Sequence, residues 1–346
     1  MPNKWFHSLQ IAFTYIGTVV GAGFASGREI IEFFVQYGIQ GFIGILIAAL
    51  LFVWAGTRIM LIAHKIKASS YQDISTYLFG KTAGTLFNGI LLTILLGTTS
   101  VMLAASGSIF QESFQLPAQV GIWLTMCCIY LITIRGLNAI YSVNSLFVPL
   151  LIMFTVVVFF FHQPWKAENL SLSTIKLEHS WFWISSPLYY VSLNLALTQS
   201  VLVPIGRETK EKASLIWGGL FGGLGIGLLL LLAYSSMAGH IPSILKMEMP
   251  MIYLLVDMGK WFALLFAILV YAEIFSSLVA NVFGLVEQVK RFFQVSPHVI
   301  ILVILAGAYL ISFVGFSSLL SLLYPLFGQV VVIFLLMLGF RQWTER

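Results

Sequence analysis

The sequence predicts an all-α integral membrane protein of ten transmembrane helices. They form two inverted five-helix repeats, with the first helix of each repeat (helices 1 and 6) discontinuous. Three observations carry this expectation. The chain is 59% hydrophobic and only 9% charged, where a soluble domain is about a quarter charged. A water-facing surface of that composition would expose large apolar patches, so a bilayer is the natural solvent. Apolar stretches of spanning length, about 20 residues, recur along the chain, and its two halves match at a fixed offset.

The spans fall at 6–36, 41–63, 85–111, 117–135, 139–161, 180–204, 214–238, 260–289, 297–313 and 317–340. The first and eighth are long enough to tilt or break. Lys4 and the apolar run after it have a faint signal-peptide look, but the run continues past any cleavage site and reads as the first span. No soluble domain fits between the spans; the longest gaps hold short polar loops or one amphipathic helix. Cys127 and Cys128 are adjacent inside a span, a spacing that suits neither a bridge nor a metal pair. They read as inert packing residues.

The net charge of +5 sorts by loop. With ten helices, thirteen of the 18 Lys and Arg residues share a side with both termini, among them Arg58, Lys65, Lys81, Arg207, Lys290 and Arg341. The other five are Arg28, Lys166, Lys176, Lys246 and Lys260. The positive-inside rule then makes both termini cytoplasmic. The expected location is the cell membrane, multi-pass, with the bilayer and a small molecule as partners and neither nucleic acid nor a protein partner indicated.

Ser321, Pro325 and Leu326 repeat Ser145, Pro149 and Leu150 at an offset of 176 residues (321 − 145). Ser276 repeats Ser100, and Glu287-Gln288 falls on Gln111-Glu112, at the same offset. The halves are therefore 1–165 and 178–346 within one transmembrane domain. Five is odd, so the second half enters the membrane from the opposite face, an architecture of secondary transporters. Their first helices break near the midplane. Span 1 carries Gly17, Gly21, Gly23 and Gly27; span 6 carries Pro187, Ser192 and Asn194. Proline removes a backbone donor, and serine and asparagine compete for backbone hydrogen bonds. Small-residue packing between helices accounts for the same glycines equally well. An unwound stretch in lipid persists only if it lines a polar cavity or receives a ligand. Its N–H groups suit a carboxylate and its carbonyls a small cation.

The "GTVVGAGFASGREI" stretch, the ten-helix plan and the connector "SSYQDISTYLFG" resemble the YkvI-type amino-acid permease family. That family belongs to the amino acid–polyamine–organocation superfamily, with the LeuT-like fold. The resemblance covers essentially the whole chain. It implies a Na+ site formed by the carbonyls of Gly17 and Val20 with the adjacent hydroxyls of Ser276 and Ser277. Glu273, one turn before that pair, is a Na+ ligand, a proton carrier or a partner of Arg28. Span 5 has no lysine of the kind that replaces the cation in proton-coupled members, which favours sodium. Arg28, with Glu32 at i+4, is expected at the external gate. The substrate cavity is expected to be lined by Gly21, Ala22, Gly23 and Phe24, by Thr98 and Thr99, and by Tyr189, Tyr190, Ser192 and Asn194. Backbone N–H groups for a carboxylate and aromatic rings for an apolar or cationic group suit an amino acid or related zwitterion.

The expected function is a cation-coupled symporter without cofactors other than Na+ as coupling ion. The alternatives are a proton-coupled permease using Glu273 and a small-molecule receptor of the same fold. An enzyme is not expected. "FGKT" at 79–82 lacks the glycine and preceding strand of a phosphate loop, and the six histidines show no helical metal spacing.

Overall fold

The computed structural model describes residues 4–135, 140–162, 181–292 and 295–344. The junction between the predicted halves lies outside the described residues, as do Lys166, Lys176 and Arg346. The α-helices are, in chain order, α1 (Lys4–Val19), α2 (Ala22–Ser26), α3 (Arg28–Phe33), α4 (Ile39–Ile66), α5 (Tyr71–Phe79), α6 (Lys81–Ser113) and α7 (Ala118–Arg135). They continue with α8 (Ile140–His162), α9 (Phe182–Glu208), α10 (Lys212–Ala238), α11 (Pro250–Val256), α12 (Lys260–Phe292), α13 (Pro297–Ser312) and α14 (Phe316–Thr344). No strand occurs among the described residues.

Among the described residues, six helices, α4, α6, α9, α10, α12 and α14, are long and apolar enough to cross a membrane. Shorter apolar helices cover Ala118–Ile134, Pro149–His162 and Pro297–Ser312. Large apolar side chains point outward at mid-helix: Leu50 is 67% exposed, Leu228 57% and Leu336 66%. Such a belt is stable only against lipid. Trp181, Trp261 and Trp343, all exposed, stand at helix ends where an amphipathic ring suits the headgroup layer.

Two packing groups organise the helices. In one, α1, α4, α9 and α10 pack on one another; in the other, α6, α7, α12 and α13 do so. α8 packs on both α10 and α12, and α14 on both α9 and α6. The first group is drawn tight by glycines of α10. A Cβ on Gly219 would lie 2.0 Å from Thr57 Oγ1, and one on Gly223 2.5 Å from the backbone nitrogen of Val53. The fully buried Tyr15 fills the remaining crevice and donates its hydroxyl to the Phe52 carbonyl at 3.0 Å. With no hydrophobic drive between helices in lipid, this close contact is what holds them together.

The connector after α4 folds into α5. The Asp73 carboxylate accepts hydrogen bonds from the backbone N–H groups of Ser69 (2.7 Å) and Ser70 (3.0 Å) and from the Ser69 hydroxyl (2.7 Å), closing a capping box. Slight burial pushes the Asp73 carboxyl up, but these hydrogen bonds outweigh it and hold its pKa below the ordinary carboxylate value.

One expectation needs correcting. The sixth predicted span was expected to break near Pro187, yet α9 runs as one helix from Phe182 to Glu208 with Pro187 and Pro204 inside. The physical reason is local. Pro187 is the sixth residue of α9, so its missing N–H leaves only the Trp183 carbonyl without its usual donor, and the helix continues past it. Ser192 and Asn194 spend their donors on the carbonyls of Leu188 (2.6 Å) and Tyr190 (3.0 Å), four residues back along the same helix.

Candidate functional site around the broken first helix

The first predicted span breaks twice. α1 stops at Val19. Val20 N–H still reaches the Ile16 carbonyl, but Gly21 turns extended (φ −101, ψ −164), and its N–H folds back onto Val19. No side chain caps α2, and the first-turn N–H groups of a helix have no partner within it. The second break is Gly27, in the left-handed region at φ +82. A Cβ there would also meet Met251 Cγ at 2.8 Å, so glycine is required on both counts. Ser26 spans this break: its hydroxyl donates to the Gly23 carbonyl (2.8 Å) and accepts the Arg28 N–H (3.2 Å).

The double break turns α3 so that Glu29 folds back over α2. A Cβ on Gly23 would lie 1.6 Å from Glu29 Oε1. Glu29 is buried. Tyr190 on α9 and Tyr324 on α14, both buried, are the tyrosines near its carboxyl. Tyr190 is fully buried, its hydroxyl without a partner among the described residues. Its ring is wedged among Phe33, Phe34 and Phe52 at 5.2, 5.1 and 6.0 Å between centroids. An orphaned buried hydroxyl costs about 1–3 kcal/mol. A buried carboxyl and an orphaned hydroxyl thus sit in the core near the interrupted backbone.

The other expected residues fall as follows. Ala22, Gly23 and Phe24 are buried on α2, which packs against α12; Gly21 is half-buried. Gly17 and Val20 lie on the α1 side of the break. On α12, Glu273 and Ser276 are buried and Ser277 half-buried, and Glu273 Oε2 has no hydrogen-bond partner among the described residues. Thr98 and Thr99 are buried on α6, both donating to the Leu95 carbonyl (3.0 and 2.6 Å). Thr98 Oγ1 also accepts from Asn281 of α12 at 3.5 Å, linking the two helices. Tyr189 meets α14, where a Cβ on Gly328 would lie 2.6 Å from the Tyr189 Cβ and carbonyl oxygen.

Arg28 lies close enough to Glu32 for their charges to interact, but its hydrogen bonds go elsewhere. Its Nη1 donates to the carbonyls of Leu245 (2.8 Å) and Met247 (3.2 Å) in the connector between α10 and α11. The same connector is held from α6: Ser108 donates to Glu248 (2.6 Å), and the Glu112 carboxylate accepts the N–H groups of Glu248 and Met249 (3.3 and 3.2 Å). Sequence reasoning missed Glu29, Tyr324 and Asn281. Glu29 had a readable signal in "SGRE": Gly27 after Ser26 is a helix stop, and a stop there re-aims every residue behind it.

The glycine-broken first helix and the two packed helix groups belong to a multi-pass helical membrane protein of LeuT-like fold. The comparison with solved structures agrees. The chain matches a manganese transporter of Eremococcus coleocola with a TM-score of 0.60 and 13% identity, over 95% of this chain and 76% of that one. It matches the inward-facing conformation of Mhp1 with a TM-score of 0.56 and 12% identity, over 94% and 73%. No family model matches the chain. Membrane protein YkvI of Bacillus subtilis is 37% identical over 330 residues, 94% of this chain and 93% of its own length. The chain therefore belongs to the YkvI family. The protein YyaD of the same organism is 25% identical over 334 residues, 94% of each chain.

Proposed function

We propose that the chain is a secondary transporter that moves a small zwitterion, such as an amino acid, by alternating access. The observation that carries this reading is the double break around α2, with buried Glu29 and the orphaned Tyr190 hydroxyl, beside the face where α2 meets α12. Main-chain polar groups left free at depth in a membrane need a ligand or water, and Glu29 and Tyr190 offer further polar anchors. The packing groups supply the mechanics: α1, α4, α9 and α10 rock against α6, α7, α12 and α13. Each group takes two helices from each half of the chain, as two inverted five-helix repeats require. The full reading has ten spans, with α1 to α3 as the first and α7, α8 and α13 as the shorter ones, and both termini cytoplasmic. That manganese is named for one structural neighbour supports transport of a solute, not the choice of solute.

Sodium is the proposed coupling ion, held by the carbonyls of Gly17 and Val20 with Ser276, Ser277 and Glu273, since a hard cation prefers oxygen ligands. Buried Glu29 and Glu273, the latter with Oε2 lacking a hydrogen-bond partner among the described residues, favour a second reading in which a proton takes that role. Uptake of amino acids into proteoliposomes, with a sodium or a proton gradient imposed separately, decides between them. Ligand binding without flux under either gradient overturns transport and leaves a receptor. The Ser276→Ala, Ser277→Ala double variant is expected to fold and to lose sodium-dependent thermal stabilisation. Unchanged sodium dependence there removes the assignment.

A further inference from the structure

His162 at the end of α8, His240 just after α10 and Asp257 just after α11 converge, although 95 residues separate the first from the last (257 − 162). Each offers one ligand atom, and these atoms all lie within 4.8 Å of one another. The two imidazoles stand edge to face, 4.8 Å between centroids and 88° between planes. Each ring has one nitrogen on a backbone carbonyl: His162 Nε2 with Leu254 (3.1 Å) and His240 Nδ1 with Ser236 (3.1 Å). A carbonyl only accepts, so those nitrogens carry the hydrogens. Nδ1 of His162 and Nε2 of His240 are then left with lone pairs. Backbone carbonyls that fix the tautomer of a histidine in this way are the usual support of a metal-binding imidazole.

We propose that His162, His240 and Asp257 form a transition-metal site selective for Zn2+ over hard divalent cations. Two imidazole nitrogens and one carboxylate oxygen are a three-ligand zinc set, with water completing a tetrahedron. In such a tetrahedron with bonds of about 2.0–2.1 Å, ligand atoms stand about 3.3–3.4 Å apart. Closing from 4.8 Å requires a contraction of at most about 1.5 Å, within reach of side-chain torsions because Asp257 is exposed. The ligands come from three separate elements, so the ion would tie the ends of α8, α10 and α11 together. Between His240 and α11 runs the connector whose Leu245 and Met247 carbonyls hold Arg28. On the transporter reading, zinc then slows opening of that end of the protein; the site itself does not depend on that reading.

The test uses purified full-length chain, stripped with chelator, and Zn2+ alone as the probe. Calorimetry is expected to show one Zn2+ per chain, with Mg2+ giving no heat. Co2+ is expected to give the visible absorption of a low-coordinate N/O site, a readout that needs no variant. Asp257→Asn, at an exposed position, and His240→Ala are each expected to weaken zinc by more than the roughly 10–100-fold that loss of a supporting group costs. His298→Ala, at a histidine bonded instead to Tyr130, is expected to leave affinity unchanged. Absence of stoichiometric zinc binding by the wild-type chain overturns the proposal, and so does equal affinity in Asp257→Asn. Neither result bears on solute flux, so failure of the metal site and failure of the transporter reading are told apart.

Discussion

Substituting Gly23 by alanine tests the back-folded position of Glu29 directly. An ideal Cβ at 23 lies 1.6 Å from Glu29 Oε1, 2.2 Å from its Cδ and 2.8 Å from its Cγ, and ordinary contact begins at 3.4 Å. The carboxylate must therefore retreat by 1.8 Å (3.4 − 1.6). Glu29 is flexible in principle but buried here, so the retreat is a repacking that costs about 1–3 kcal/mol. Alanine is favoured over glycine in a helix by about 1 kcal/mol, which leaves a net loss of about 0–2 kcal/mol. In a Glu29→Ala background the obstruction is gone, and the same change is neutral or stabilising by up to about 1 kcal/mol. Unfolding titrations in mixed micelles on the four chains of the cycle should therefore give a coupling of about 1–3 kcal/mol. If Gly23→Ala has the same effect in both backgrounds, within about 0.5 kcal/mol, Glu29 does not lie over α2.

Three other outcomes follow from the geometry. Arg28→Ala removes two charge-assisted bonds to the Leu245 and Met247 carbonyls, each class worth about 1.5–3 kcal/mol. Amide exchange across 243–249 should then rise roughly 10- to 100-fold, and unchanged exchange means the contact carries no weight. Gly223→Ala drives a Cβ to 2.5 Å from the Val53 backbone nitrogen and should destabilise by about 1–3 kcal/mol. Gly89→Ala, with nothing within 4 Å, should be neutral or stabilising by up to about 1 kcal/mol; equal losses in the two variants refute the packing account. Asp73→Ala should cost about 0.3–1.5 kcal/mol through the lost cap. Because the folded pKa of Asp73 lies below its unfolded value, its contribution is present above about pH 4 and fades as pH falls through the folded pKa. Wild type and variant should therefore converge in acid, and a constant gap across pH excludes the charge as the cause.

The fold was largely legible because lipid leaves few options: composition and the recurrence of apolar stretches fixed an all-helical membrane protein, and the glycines at 21 and 27 marked where the first span breaks. The mistaken break in α9 shows the limit of reading breakers by type. Proline, serine and asparagine interrupt a helix only when their neighbours do not re-satisfy the freed groups, and Ser192 and Asn194 are satisfied within α9 itself. Glu29 was readable only through the helix stop at Gly27. Helical periodicity places residues 23 and 29 on different faces, and only the left-handed turn at Gly27 brings them together. His162, His240 and Asp257 lie on three elements, so no spacing rule along one helix finds them.

The five residues of α2 have a mechanical consequence. Upstream, α1 is embedded against α10 through Tyr15 and Ile11, which occupy the room left by Gly222 and Gly218. Downstream, Arg28 is fastened to a connector that α6 also grips. The two ends of this first segment are thus anchored to different bodies, and α2 is the short link with a swivel at each end. Any displacement between those bodies must be taken up as rotation at Val20–Gly21 and at Gly27. The link that turns is the same one whose Gly23 carries the Glu29 carboxylate, so a solute or ion gripped there would ride on the joint itself.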